Sequence, residues 1–353
     1  MTGFFTERTV SWEGDHVDMI DQTALPTRFR RVRIADAEAM AGAIRTMVVR
    51  GAPAIGVAAA MGVALEAVRS DGRDLEATIR RLRAAGALLK ATRPTAVNLF
   101  WGVDRVLAAA ERGSTASGAR EAAVAEVRKM AEEDVEANHR LGRFGADLVD
   151  DGDTVLTQCN AGALATVGYG TALGVVRAAK EQGKLVKVLV PETRPALQGA
   201  RLTAFELVTD DIDCRLIPDT AVGYMMARGT VDKVVVGADR ITRDGYVFNK
   251  IGTYQEAVLA KRHGIPFYPA APASTFDTSR DHDAVEVEQR AYEEVVKVRG
   301  RRIAPRGIPV SNPAFDITPP KLVTAVVTDR GVVRQPLARS IGRMFGGRIS
   351  RSR

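Results

Sequence analysis

From Asp153 onward the chain alternates short β-branched runs with helix-patterned stretches, and this rhythm limits its fold more than any other feature. TVLTQ (154–158), LVKVLVP (185–191), DCRLIP (213–218), VDKVVVGA (231–238) and IPFYPAA (265–271) have the length and residue types of buried strands. Helical patterns near 162–182, 197–208, 219–229 and 250–263 fill the gaps. Such alternation is the sequence form of βαβ units, so an α/β fold with a mainly parallel, doubly wound sheet is predicted. Aromatic residues make up 5% of the chain against 46% hydrophobic residues, which fits helices packed on a parallel sheet better than a sandwich of aromatic pairs.

The first third reads differently. After a short N-terminal segment with strand character, apolar positions recur at helical spacing in residues 35–49, break at Arg50-Gly51-Ala52-Pro53, and resume through 54–68, 74–91 and 119–149. The predicted organisation is a small, mainly helical N-terminal domain over residues 1–130 and a larger Rossmann-like domain over 131–353. That second domain ends in a basic tail, ARSIGRMFGGRISRSR (338–353), expected to be frayed.

Several function classes are excluded at this level. Two cysteines 55 positions apart form neither a disulfide framework nor a four-thiolate zinc site. The four histidines (His16, His139, His263, His282) show no metal-ligand spacing, so no metal is expected. Gly162, Gly168 and Gly170 stand at the wrong intervals for a dinucleotide turn, and there is no P-loop, so no cofactor is expected either. The net charge of +7 is diffuse and favours anionic ligands in general; basic residues are not interleaved with aromatics, so no nucleic-acid surface is predicted. No run reaches about 18 apolar residues and the first 16 residues lack a signal-peptide pattern, so a soluble, cytoplasmic protein without membrane contact is expected.

Open parallel sheets bind ligands at the carboxyl ends of their strands. Here those ends carry Cys159 with Asn160, then Glu192, Thr193 and Arg194, then Asp219, then Asp239. Free cysteines are ordinarily small core residues, and Cys214 is read that way. A helix starting at 162 would instead place its N–H groups beside Cys159 and favour the thiolate. In MVVRGAPAIG, Arg50 and Gly51 precede a helix start set by Pro53, which suits a phosphate, as it also suits a plain turn. Arg93 before Pro94, Gln198 in PALQGARLT, and Asn249 with Lys250 at the start of the helix near 250 complete the candidates.

Taken together, VVRGAPAIGVAAAMG, RPTAVNLFW, TQCNAGALATVGYGTALG, ETRPALQGARLTAFEL, VVVGADRI, NKIGTYQEAVLAKRHGIPFY and NPAFDITP resemble the methylthioribose-1-phosphate isomerase family, which is related to the regulatory subunits of translation initiation factor 2B. The resemblance covers about residues 12–335. It implies a homodimer of two-domain chains with the active site between the domains, and conversion of an aldose 1-phosphate to a ketose 1-phosphate in methionine salvage. It also implies a catalytic pair, Cys159 and Asp239, and substrate contacts from Arg50, Gly51, Ala52, Arg93, Gln198, Asn249 and Lys250. Three places depart from the family pattern: Pro191 stands for an acidic residue, Phe248 for a small one, and the stretch TFDTSRDHDAVEVEQR lacks the expected acidic segment. The neighbouring possibilities are an isomerase of 5-deoxyribose 1-phosphate or ribose 1,5-bisphosphate, and a non-catalytic regulatory protein resembling initiation factor 2B.

Overall fold

A computed structural model describes residues 7–70, 74–94, 96–298 and 300–346. The N-terminal segment forms an antiparallel sheet of β1 (Val10–Trp12), β2 (Val17–Ile20) and β3 (Arg31–Ile34). Five helices follow: α1 (Ala37–Arg45), α2 (Ala52–Val68), α3 (Leu75–Lys90), α4 (Val97–Ala110) and α5 (Ala116–Ala146). Side-chain caps begin three of them, with Asp36 accepting from Ala39 N–H, Asp74 from Glu76 and Ala77, and Thr115 from Gly118. Helix α2 is apolar all round and buried along almost its whole length, as a central helix must be.

The second part contains β4 (Thr154–Leu156), α6 (Ala172–Glu181), β5 (Lys187–Pro191), α7 (Ala204–Thr209), β6 (Cys214–Ile217), α8 (Val222–Ala227), β7 (Lys233–Val236), β8 (Arg240–Thr242), β9 (Val247–Lys250), α9 (Thr253–His263) and β10 (Phe267–Pro269). After them come β11 (Phe276–Asp277), α10 (Tyr292–Val296), the hairpin of β12 (Lys297–Val298) and β13 (Arg301–Arg302), then β14 (Phe315–Thr318), β15 (Ala325–Thr328), β16 (Gly331–Arg334) and α11 (Leu337–Phe345). The five predicted strands make one all-parallel sheet in the order β10-β7-β4-β5-β6. Its side chains alternate between two cores, as a sheet covered on both faces requires. Val155, Val188, Val190 and Val235 face α6 and the end of α5, while Leu156, Leu189, Val234 and Val236 face α8, α9 and α11.

Three details differ from expectation. The stretch after β4 does not enter a helix at 162; a single 3-10 turn at Ala163–Ala165 precedes α6, because the chain first loops through buried Thr166–Tyr169. The gap between β7 and α9 is a β-hairpin, β8 and β9, which joins β11 and β14 in a second sheet. The tail is helical through Phe345, with Leu337 and Ile341 anchored in the core; residues 347–353 of the expected frayed end lie outside the described residues. Helix α5 gives Ala119, Ala123, Val127 and Met130 to the helical core and Leu141 and Ala146 to the sheet's core. Among the described residues no helix is long and apolar enough to cross a membrane.

Candidate active site

Strands β4 and β7 lie side by side where the sheet's chain order reverses: β5 follows β4 on one side, and β7 returns on the other. Such a switch point leaves a crevice at the carboxyl ends. Cys159 stands three residues beyond the end of β4, and Asp239 three residues beyond the end of β7. Both line one pocket, together with every other sequence candidate: Arg50, Gly51, Ala52, Arg93, Gln198, Asn249 and Lys250. The helical layer supplies four of the nine and the sheet layer five.

Cys159 is held by its backbone instead of by a helix start. Its φ is +59°, in the left-handed region that costs a non-glycine residue about 1–3 kcal/mol. The cost is met by two buried hydrogen bonds: Cys159 N–H donates to Thr193 Oγ1 at 3.0 Å, and Thr203 Oγ1 donates to the Cys159 carbonyl at 2.6 Å. Thr193 is in turn fixed by Asp219, whose carboxylate accepts from the Thr193 and Arg194 N–H groups at 2.7 Å each. The expected ring of polar strand ends therefore divides. Cys159, Asn160 and Asp239 line the pocket, while Thr193 and Asp219 brace the loop that carries Cys159.

On the helical side, Gly51 has φ +93° and a Cβ there would lie 2.4 Å from the Cα and the carbonyl oxygen of Ala165. Only glycine lets the turn before α2 press this closely on the loop after β4. The adjacent Arg50 crosses between the layers, donating from Nη1 to Asn160 Oδ1 at 2.7 Å and from Nη2 to the Asn160 carbonyl at 2.8 Å. Arg93 approaches Glu288 at 3.6 Å, and its buried Nε makes no hydrogen bond among the described residues; Gln198 Oε1 is in the same condition. Asn249 and Lys250 end β9; they do not start a helix, because the chain turns through Ile251 and Gly252 before α9. Asn249 Nδ2 donates to Thr253 Oγ1 at 2.9 Å, and Lys250 Nζ donates to the Ala314 carbonyl at 2.9 Å while lying over the Phe315 ring.

Burial pushes the Asp239 carboxyl above its ordinary range, and the cations of Lys250, Arg50 and Arg93 pull it back only in part. Burial likewise lowers Lys250, opposed by its electrostatic interactions with Cys159 and Asp239. The Asp239 carboxyl, raised by burial, and Lys250 thus share the pocket with Cys159.

Sequence reading missed part of the lining. Glu286 and Arg290 reach the pocket from the segment judged to depart from the family pattern, where Arg290 is paired with Glu288 and Glu294. The signal was the run VEVEQR itself, two acids and an arginine in six residues. Met47, Val285 and Phe315 join Phe248 as apolar lining. Of the two single-residue departures from the family pattern, Phe248 lines the pocket and Pro191 does not; Pro191 closes β5 against Gly199.

A doubly wound sheet with an acid and a thiol at its switch point, under a helical layer that supplies guanidinium groups, is the architecture of an α/β enzyme for a small anionic substrate. The chain belongs to the Initiation factor 2 subunit family, which residues 48–335 match, and within it to the methylthioribose-1-phosphate isomerase family. It is 49% identical to methylthioribose-1-phosphate isomerase of Thermosipho africanus, an alignment covering 96% of this chain and 98% of the relative. Among solved structures, 5-methylthioribose 1-phosphate isomerase of Pyrococcus horikoshii matches with a TM-score of 0.90 and 45% identity over 96% of each chain. A protein of Archaeoglobus fulgidus described as translation initiation factor eIF-2B, subunit delta, matches with a TM-score of 0.87 and 49% identity, covering 97% of this chain and 100% of that one.

Proposed function

We propose that the chain is an aldose–ketose isomerase that converts 5-methylthioribose 1-phosphate to 5-methylthioribulose 1-phosphate. The observation that carries this reading is the meeting of Cys159 and Asp239, from neighbouring strand ends, in a pocket rimmed by Arg50, Arg93 and Lys250. The anomeric carbon of the substrate is esterified, so no aldehyde exists until the ring opens. Protonated Asp239 gives its proton to the ring oxygen as the bond from C1 to that oxygen breaks. A hydrogen then passes from C2 to C1, and the C2 hydroxyl returns its proton to Asp239 as the ketone forms, so protons balance over the cycle. Cys159 stands at the transfer step, either as a thiolate base that takes the C2 proton and delivers it to C1, or beside a direct hydride shift. In D2O the first route places deuterium at C1 to the extent that the Cys159 thiol exchanges with solvent, and the second places none.

Arg50 and Arg93 bind the phosphate, with Gly51 and Ala52 offering N–H groups at the start of α2. Gln198, Asn249 and Lys250 hold sugar oxygens, and Phe248 with Met47 and Val285 receives the methylthio end, since sulfur packs well on aromatic and apolar groups. The helical domain to residue 130 and the sheet domain from 131 hold the substrate between them. A homodimer forms through the edge strand β6 and helices α8 and α9, which expose Leu216, Tyr224, Tyr254 and Val258, and the enzyme works in the cytoplasm. Turnover of a panel of C1-phosphorylated pentoses differing only at C5, followed by NMR, tests the assignment. Preference for the 5-methylthio compound is expected. Preference for 5-deoxyribose 1-phosphate or ribose 1,5-bisphosphate replaces the substrate, and no turnover with any of them, together with binding to translation factors, overturns the enzyme reading.

A further inference from the structure

Beneath the loop that carries Cys159 lies a carboxylate outside the pocket lining. Glu206, on α7, is fully buried, and all four of its hydrogen bonds are accepted ones. Oε1 takes Asn160 Nδ2 at 2.8 Å and Leu164 N–H at 3.2 Å; Oε2 takes Ala163 N–H at 2.7 Å and Arg177 Nη2 at 2.8 Å. Arg177 is itself fully buried and is held also by Asp210 and the Tyr169 carbonyl. The carboxylate presses so closely on the loop that a Cβ at Gly162 would meet its Oε2 at 2.1 Å.

Asn160 joins this buried charge to the pocket. Its Nδ2 is committed to Glu206 and, at 3.2 Å, to Thr203 Oγ1, so its Oδ1 must face the other way, towards Arg50. A reversed amide would set its NH2 against a guanidinium and its oxygen against a carboxylate, two unfavourable contacts in a buried site. The orientation is therefore dictated from below, and the amide in turn dictates where the Arg50 guanidinium stands.

We infer that Glu206 is a positioning residue for phosphate binding: through Asn160 it fixes the Arg50 guanidinium against the loop of Cys159, without touching substrate. This inference rests on the assignment of Arg50 to the substrate phosphate. Gln at position 206 turns an NH2 towards two donors whichever way it sits, Asn160 and Leu164 or Ala163 and Arg177, and removes the charge that holds the amide, so Glu206→Gln loosens the relay while keeping the side chain's size. In the folded full-length protein, assayed with 5-methylthioribose 1-phosphate well below its melting temperature, KM is expected to rise about tenfold or more, with kcat changed by about threefold or less. Asn160→Ala should match it, and the double variant should be no worse than Asn160→Ala alone, because Glu206 acts only through that amide.

Additive losses in KM overturn the relay, as does a lowered melting temperature with KM unchanged. Should Glu206→Gln fail to fold, Asn160→Ala still decides, since it leaves the cluster of Arg177, Glu206 and Asp210 intact: an unchanged KM there sinks the inference. Arg50→Ala separates this outcome from failure of the phosphate assignment. If Arg50→Ala raises KM and Asn160→Ala does not, only the role of Glu206 falls; if Arg50→Ala leaves KM unchanged, the assignment beneath it falls as well.

Discussion

Arg50, in the turn between α1 and α2, grips Asn160 of the sheet layer by both its side-chain and its main-chain oxygen, at 2.7 and 2.8 Å. A planar fork makes both contacts at once, and an ammonium group does not. Arg50→Ala and Arg93→Ala are each expected to raise KM about 10- to 100-fold, the range for losing a charge-assisted hydrogen bond. Arg50→Lys should recover little of the loss. Steady-state kinetics on the three variants checks this, and unchanged KM in both alanine variants removes the phosphate assignment.

Asp239 follows a strand end, and burial raises its pKa above the ordinary carboxylate range. Asp239→Asn preserves shape and hydrogen bonding but has no proton to deliver, so kcat should fall about 10²- to 10⁴-fold with substrate affinity and melting temperature retained. A folded variant with near-normal kcat refutes the proton-donor role, and a joint fall in affinity and melting temperature marks a structural one.

Cys159 should be the thiol whose alkylation stops turnover, with substrate protecting it. Cys159→Ser should lose most activity, whereas Cys214→Ser, at the start of the edge strand β6, should be close to silent. Mass spectrometry of the partly alkylated enzyme against residual activity tests the pair, and wild-type turnover in Cys159→Ser ends the assignment.

The acid must be protonated in the free enzyme, so kcat/KM should fall as pH rises through the pKa of Asp239. Burial places that pKa above the usual carboxylate range, and the charge of Lys250 holds it down. Removing the cation lets it climb, so Lys250→Met should move the alkaline limb to higher pH even as turnover drops. A limb that stays in place or moves towards acid contradicts the role given to Asp239.

Gly51→Ala puts a Cβ 2.4 Å from the Ala165 backbone at a φ of +93°. Left-handed strain alone costs about 1–3 kcal/mol, and the clash adds to it. The melting temperature should fall by several degrees and KM should rise, because Arg50 shares the displaced turn. An unaltered melting curve shows that the two layers do not meet as closely as described.

The five strands and the long helices were legible because each carries its own period and its own residue types. Lys187–Pro191 and Lys233–Val236 read as buried strands from β-branched content alone. The site was legible where function sits on strand ends, as Cys159 and Asp239 do. What the sequence concealed is what tertiary contact decides. Residues 162–171 hold Gly162, Gly168 and Gly170 with Thr166, Val167, Tyr169 and Thr171, poor helix formers all, and make only the turn Ala163–Ala165, whose first free N–H groups, of Ala163 and Leu164, are accepted by buried Glu206. Asn249 and Lys250 carry a cap-like residue before a helix, but strand β14 pairs with both, Phe315 opposite Lys250 and Asp316 opposite Asn249. Glu286 and Arg290 belong to a segment with little regular structure, where no period exists to read.

The 31-residue helix α5 spans about 46 Å and seats its two ends in different cores. A continuous helix bends gently and resists folding over at a point. The helical layer therefore has no free swivel against the sheet along this path, and the two cores share one continuous element. Opening of the crevice is left to short segments such as the one bearing Glu286 and Arg290, which have no such spine behind them.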